Sequence, residues 1–540
     1  MGGKTKYIVV LGSLMSGLGK GILTSSLAKI LQSKGVNVVP IKFDGYLNVD
    51  CGTMNPFRHG EVFVLDDGTE CDMDFGTYER YLNQDLSGSS SITGGKLFKK
   101  IIEKERSGGY LGRDVQIVPH LTDEIKAWVK KTGEDAKADV VIIEVGGTVG
   151  DLENGYFIEA MRQMRFEEEM LFIQLTFVPS LSPGEQKTKP TQHATRLLAS
   201  LGIEPNIIVA REDEPLSKDA KEKIALFCHV SPECVFNDPS IDTIYELPLL
   251  LEKQKFGEIV MSKLGIKDGE DGMKKWRGLV DKIKNPTKKV RIAIAGKYTA
   301  VKDAYVSVTE ALVHAGAHNN ARIEVLWIET TEVEDGTKTA EDLLKNCDGL
   351  IVPGGFGKRG IEGKIKCIEY ARKNKMPYLG LCLGMQLMAI EWARNVSGLE
   401  GANSTEFDEA TKYPVIDFLP EQRKIKEKGA TMRLGAYPCV LSKGTRAHGL
   451  YASENISERH RHRYEVNNEL LPLLSDKGLV VSGKSPDGNI VEMIEWPDGL
   501  GMATQAHPEL KSRLEKPAPL FVGLVESAIK RQEENGQKQQ

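Results

Sequence analysis

Residues 380–384 read Gly-Leu-Cys-Leu-Gly and follow directly on the apolar run Met376-Pro377-Tyr378-Leu379. A cysteine in such a run is ordinarily a small buried hydrophobe. The spacing G-x-C-x-G, however, is the thiol form of the strained strand-to-helix elbow that lifts a nucleophile above a sheet. The flanking glycines permit the sharp turn, and the start of the next helix favours negative charge on the sulfur. The N–H of Leu383 then faces a developing oxyanion, and Gly354-Gly355 in IVPGGFGKRG offer a second donor. A thiol nucleophile needs a base, and the base needs an orienting group. TQAHPE supplies both, His507 and Glu509, in the chain order Cys, His, Glu.

A second constellation sits at the other end. Gly12-Ser13-Leu14-Met15-Ser16-Gly17-Leu18-Gly19-Lys20-Gly21 follows the run YIVVLG and opens the amphipathic stretch ILTSSLAKILQSKG. Glycines there let backbone N–H groups close on phosphate oxygens, the helix start adds partial positive charge, and Lys20 adds a full one. The loop departs from a Walker A motif: two extra residues separate Gly12 from Gly19, and Gly21 replaces the hydroxyl that would hold magnesium. Magnesium would then need carboxylates from elsewhere, and Asp72, Asp74 and Glu144 are the candidates, Glu144 at the end of the run DVVIIEV. Lys42, on the next expected strand, is placed to reach the same phosphates. Lys187 and Lys189 in GEQKTKPTQ read as one side of an extended stretch held by Pro190, either a solvated face or a site for an anion.

The elements that must position these groups are legible as short apolar runs alternating with amphipathic segments. YIVVLG (7–12), NVVPIKF (37–43), DVVIIEV (139–145), MLFIQLTFV (170–178) and NIIVA (206–210) form one set, and VRIAIAG (290–296), RIEVLWIE (322–329), GLIVPGG (349–355) and PYLGLC (377–382) a second. This pattern predicts an α/β protein with two doubly wound domains on largely parallel sheets. The charged stretch ending in Asn-Pro sets the expected boundaries: a domain over 1–268, a linker over 269–288, a second domain over 289–531, and a disordered polar tail over 532–540.

Bulk properties narrow the function. With 540 residues, 40% hydrophobic and 27% charged, the chain can bury sizeable cores. A formal charge of −5 favours neither nucleic acid nor an anionic membrane. Eight cysteines without CxxC pairs point to a reducing, cytoplasmic compartment, and no apolar run is long enough to span a bilayer.

PYLGLCLGMQ, VPGGFG, ANSTEF, ERHRHRYEVNN and TQAHPE resemble the class I glutamine amidotransferase domain, which is flavodoxin-like. With GKG at 19–21, FDGYLNVDCGTMNPFRHGEVFVLDDG, GGTVGD, GEQKTKPTQ and TMRLG, the whole chain is similar to the CTP synthase family, whose N-terminal amidoligase domain is P-loop-like. The resemblance implies that glutamine is hydrolysed through a cysteinyl thioester and that ammonia passes inside the protein to the N-terminal domain. There ATP phosphorylates O4 of UTP, and ammonia displaces the phosphate to give CTP.

Carried over by motif, Cys382 would be the nucleophile, His507 the base and acid, and Glu509 its orienter. Gly355, Leu383, Gly384, Met385, Gln386, Glu406 and Arg463 would hold glutamine, Arg463 through the α-carboxylate. ATP would be held by Gly17, Leu18, Gly19, Lys20, Gly21, Ile22, Lys42 and Asp74, with Asp74 and Glu144 on Mg2+. UTP and CTP would be held by Ser16, Asp151, Leu152, Glu153, Lys187, Thr188, Lys189, Pro190, Thr191, Gln192 and Lys223. The run Arg459-His460-Arg461-His462-Arg463 then reads as a strand showing arginines to one side, not as a nucleic acid patch. GTP activation, CTP feedback, homotetramers and their stacking into filaments also follow from the resemblance alone. Ser13, Gly45, Thr77, Asn154, Gly155, Ser240 and Ala506 depart from the family's usual residues, which bears on nucleotide affinity and feedback more than on the reaction. Two other readings are an amidotransferase ligase acting on a different acceptor and a filament-forming protein without catalysis. The KTKPTQ stretch speaks against the first, and the intact Cys382, His507, Glu509, Lys20, Asp74 and Glu144 against the second.

Overall fold

The computed structural model describes residues 4–55, 59–182, 184–296, 302–355, 357–418 and 432–538. The chain divides into two compact units, one of Met1–Cys51 with Thr77–Val280 and one of Gly52–Gly76 with Asp281–Gln540. Both are α/β.

The first unit is built on a seven-stranded sheet in which every pairing is parallel. Its spatial order is Val235–Pro239, Ile207–Glu212, Met170–Phe177, Lys6–Gly12, Val140–Val145, Val38–Asp44 and Ser91–Thr93. Helices cover both faces, which is why the strands read as unbroken apolar runs: Ile8, Val10, Ile142 and Ile173 are fully buried. The chain leaves the central strand Lys6–Gly12 toward Val38–Asp44 on one side, comes back beside it as Val140–Val145, and then crosses to Met170–Phe177 on the other. Such a switch point opens a crevice at the C-terminal ends of the strands.

The second unit holds a nine-stranded sheet. Ala321–Glu329, Lys288–Gly296, Gly349–Val352, Tyr378–Leu381 and Gly501–Thr504 run parallel, and Val491–Glu495, Val480–Lys484, Arg433–Leu441 and Asn455–His462 continue it antiparallel. The hairpin Phe63–Val64 with Glu70–Cys71 belongs to this unit.

Three segments differ from the sequence expectation. Within 269–288, read as linker, Lys274–Lys284 is a helix, and Trp276, Leu279 and Val280 at helical spacing bury its inner face. The Trp276 indole donates to the Tyr245 carbonyl (2.8 Å) and its ring lies 5.1 Å from that of Tyr81. The tail expected to be disordered from 532 is helical to Lys538: the helix Pro519–Lys538 is anchored by buried Phe521, Leu524, Val525 and Ala528, and the good helix formers Lys530 to Glu534 extend it before Asn535 and Gly536; residues 539–540 lie outside the described residues. Lys189–Gln192 is not extended but forms the first turn of the helix Lys189–Ser200, where Pro190 has the backbone angle a helix start requires.

Candidate active site

Three neighbouring parallel strands of the second unit bring the candidate groups to their C-terminal ends. Gly349–Val352 leads to Gly354, Tyr378–Leu381 to Cys382, and Gly501–Thr504 to His507. The cysteine is the elbow expected from its spacing: it lies between the strand and the helix Leu383–Asn395 with φ 50° and ψ −101°, a strained backbone for a residue with a side chain. The Cys382 N–H donates to the Thr504 carbonyl (2.8 Å), and the Tyr378 hydroxyl donates to the Gly384 carbonyl (2.8 Å), so the turn is fixed from both sides. Gly384 has no alternative here, since a Cβ on it would lie 2.1 Å from the Val352 carbonyl oxygen.

His507 Nδ1 meets Glu509 Oε1 at 2.7 Å. A Cβ on Gly354 would lie 2.9 Å from His507 Cε1 and 3.6 Å from Cys382 Cβ, so this glycine lets ring and elbow close on one point. Burial works against a charged ring, but the Glu509 carboxylate and the Cys382 sulfur outweigh it and push the imidazolium of His507 up to about 10. Because the folded value is raised, the stability this charge contributes is complete below the ordinary histidine range and is lost as pH rises through about 10.

A cavity of about 320 Å³, within the size range of small-molecule sites, opens over the sulfur and is lined by Gly354, Gly355, Cys382, Arg463, His507 and Glu509 among others. Glu406 Oε1 accepts the Gly357 N–H (3.1 Å). Leu383 and Met385 are buried in the core, so what they offer a ligand is backbone. Gln386 is also buried, and its Nε2 donates to the Tyr464 carbonyl (2.9 Å) and to Gln505 Oε1 (3.3 Å). Gln505, whose Nε2 lies 3.6 Å from the Cys382 sulfur, was not singled out from the sequence. Its position two residues before His507 was the available signal.

In the first unit the loop after Lys6–Gly12 turns through Gly17 and Gly19, both at positive φ, into the helix Lys20–Ser33. Lys20 Nζ donates to the Gly147 carbonyl (2.7 Å), and Gly12 leaves it room, since a Cβ there would lie 2.8 Å from that nitrogen. Gly21 is buried, as is Leu18, and Ile22 is partly so. Lys42 and Glu144 stand in register on adjacent strands. The Tyr78 hydroxyl, another contact not read from the sequence, donates to Glu144 Oε2 (2.5 Å). Asp74 opens the helix Asp74–Leu82 that carries Tyr78.

Among the described residues no three His, Cys, Asp or Glu side chains gather into a metal cage. Asp74 and Glu144, the candidate metal residues, offer carboxylate oxygens, the donor type that magnesium takes one or two of beside phosphates and water.

The turn after Glu144 is tightly built. Asp151 Oδ2 accepts the Thr148 N–H (2.6 Å), and buried Asn154 donates to the carbonyls of Gly146 (3.0 Å) and Thr148 (2.8 Å). Leu152 and Glu153 are exposed on it. Gly45 is needed beside this turn, because a Cβ there would lie 2.8 Å from the Glu153 carbonyl oxygen, and Ser13 is held by the Leu175 carbonyl (3.0 Å). Ser16 lies in the loop itself. Thr191 is buried against Thr176 (3.2 Å), Gln192 donates to Thr188 Oγ1 (3.1 Å), and Lys187 pairs with Glu185. Lys223, by contrast, is paired along its own helix with Asp219 (2.6 Å).

Comparison with known proteins covers the same two regions. Residues 6–266 match the family described as CTP synthase N-terminus, and residues 300–527 match glutamine amidotransferase class-I. A protein of Caldanaerobacter subterraneus subsp. tengcongensis named CTP synthase is 52% identical over 529 residues, 97% of this chain and 98% of the relative. One of Methanocaldococcus jannaschii with the same name is 50% identical over 535 residues, again 97% and 98%. Among solved structures, the glutaminase domain of Trypanosoma brucei CTPS with bound acivicin is 37% identical, covers 45% of this chain and 94% of its own, and has a TM-score of 0.42.

Proposed function

The chain belongs to the CTP synthase family, and on that premise we propose that its two units divide one reaction, glutamine hydrolysis at Cys382 and ATP-dependent amination of UTP at the phosphate loop. The observation that carries the reading is the presence in one chain of a complete Cys382, His507 and Glu509 arrangement and of a glycine loop with Lys20 at the switch point of a parallel sheet.

Glutamine enters the cavity with its α-carboxylate on Arg463 and its ammonium toward Glu406. The Cys382 sulfur attacks the carboxamide carbon, and the N–H groups of Leu383 and Gly355 take the charge that develops on oxygen. His507 gives its proton to the leaving nitrogen, and ammonia departs from the thioester. His507 then takes a proton from water as that water attacks the thioester, and glutamate leaves. Glu509 keeps the ring oriented throughout.

In the first unit the loop from Gly17 to Ile22, with Lys20 and Lys42, holds the phosphates of ATP. Asp151 to Glu153, Lys187 to Gln192, Ser16 and Lys223 hold the pyrimidine nucleotide. O4 of UTP takes the terminal phosphoryl group of ATP, leaving ADP; ammonia, passed on within the protein, attacks C4, the C4–O4 bond breaks, O4 leaves as part of inorganic phosphate, and the nitrogen gives up a proton. Magnesium would be held by Glu144 and Asp74 and supplies charge neutralisation at the phosphates when bound. GTP activation, CTP feedback, tetramer and filament formation and a cytoplasmic location belong to the same reading.

UTP carrying ¹⁸O at position 4 tests it. Each CTP formed should release inorganic phosphate bearing the label, and CTP formed with unlabelled phosphate would contradict phosphorylation of O4. A further expectation concerns Glu509→Gln. The carboxylate that holds the proton on His507 is then lost, so the alkaline limb of kcat/KM for glutamine hydrolysis should move down from near pH 10 toward neutrality. The rate should fall about 10²- to 10⁴-fold. Glutamate release measured across pH checks this, and an unmoved limb would assign the proton to another group.

A further inference from the structure

The edge strand Asn455–His462 touches the catalytic residues with its backbone and something else with its side chains. The Arg459 carbonyl accepts the His507 N–H (2.7 Å), and the Arg461 carbonyl lies 3.9 Å from the Cys382 sulfur. Residues two apart in a strand face the same way, and both guanidinium groups reach acidic residues of the hairpin between 63 and 71. Arg459, fully buried, donates through Nε to Asp66 (2.5 Å), and Arg461 donates to Glu70 (2.8 Å). Lys511, four residues beyond His507, also pairs with Asp66 (3.0 Å). The Phe63 ring lies 5.3 Å from the Arg459 guanidinium, and the Asp66 carbonyl accepts the Ala436 N–H (2.9 Å). Although burial alone would raise it, the Asp66 carboxyl is held below its ordinary range by Arg459 and Lys511, the mark of a charge that its partners stabilise.

The hairpin is an excursion of the N-terminal half of the chain. It is folded into the second unit, but its far end continues through Asp72 into the helix Asp74–Leu82, whose Tyr78 holds Glu144. Two arginines thus have their carbonyls against His507 and Cys382 and their side chains gripped by a segment covalently continuous with the phosphate site.

We propose that Asp66 with Arg459, and Glu70 with Arg461, are positioning pairs that gear glutamine hydrolysis to the nucleotide state of the other half. The inference rests on the two-site reading above. A shift of the hairpin is transmitted to the strand through the ion pairs, and from the strand to the histidine and the thiol through the two carbonyls. Arg459 is fully buried and Glu70 nearly so, while Asp66 is about a third exposed; removing the partner of a buried charge is costly, which makes each pair a stiff connection.

The test uses the full-length protein with Asp66→Asn, Asp66→Glu and Glu70→Gln. Three rates are read for each: CTP formation from ammonia, glutamine hydrolysis alone, and glutamine hydrolysis with ATP, UTP and GTP present. In Asp66→Asn and Glu70→Gln the stimulation of hydrolysis by nucleotides should fall about tenfold or more, glutamine consumed per CTP should rise above the wild-type ratio, and ammonia-dependent synthesis should stay within about twofold of wild type. Asp66→Glu should recover part of the stimulation. A purely structural role would lower both hydrolysis rates in the same proportion and leave their ratio alone, and that result in both neutral variants overturns the proposal. Should Asp66→Asn not fold, Glu70→Gln decides it. Failure of the wild-type protein to form CTP from ammonia would instead reject the two-site reading itself.

Discussion

Cys382→Ala should abolish glutamine-dependent CTP formation and leave the ammonia-dependent reaction at its wild-type rate. The substitution removes only the sulfur. Alanine meets the same φ of 50° that the cysteine already tolerates, and the Tyr378 hydroxyl still ties the elbow through the Gly384 carbonyl. The donors of Leu383 and Gly355 remain, but there is no nucleophile for them to assist, so glutamine hydrolysis should fall about 10⁴-fold or more. Ammonia supplied from solution bypasses that step. CTP formation measured with each nitrogen source separates the two functions, and equal loss of both would contradict a division between units.

Lys20→Ala should act in the opposite sense and remove CTP formation from either nitrogen source. The ammonium group of Lys20 donates to the Gly147 carbonyl beside the loop and lies against Gly12, where no other side chain of the loop brings a charge. Loss of one preorganised charge at a transferring phosphoryl group costs about 100- to 1000-fold. Glutamine hydrolysis in the absence of nucleotides should persist, because its groups lie in the other unit. Ammonia-dependent turnover at the wild-type rate in this variant would show that the loop does not hold ATP.

Much of this was legible in the sequence because the signals are local. The elbow needs glycine at 380 and 384 within one turn of chain, and the N-terminal loop needs glycines between a buried strand and a helix, so the geometry of both can be read without knowing what surrounds them. The fully parallel first sheet was equally legible, since strands covered on both faces must be continuously apolar. What could not be read is long-range. Asp66 and Arg459 are partners across most of the chain, and neither sits in a pattern that names the other. The grouping of Gly52–Gly76 with the second unit depends on such pairs. Trp276 sits in a segment so charged that its composition suggested a linker, yet three apolar residues at helical spacing were enough to dock it. The Tyr78 contact to Glu144 and the Gln505 contact to the thiol arise from side chains that tertiary packing alone brings together.

The most direct test of the whole account follows one nitrogen atom. Wild-type protein given ATP, UTP, magnesium and glutamine labelled with ¹⁵N in its amide should yield CTP whose exocyclic amine carries the label, together with unlabelled glutamate in equal amount. Glutamate formed while UTP remains unchanged, or CTP formed without the label, would contradict it.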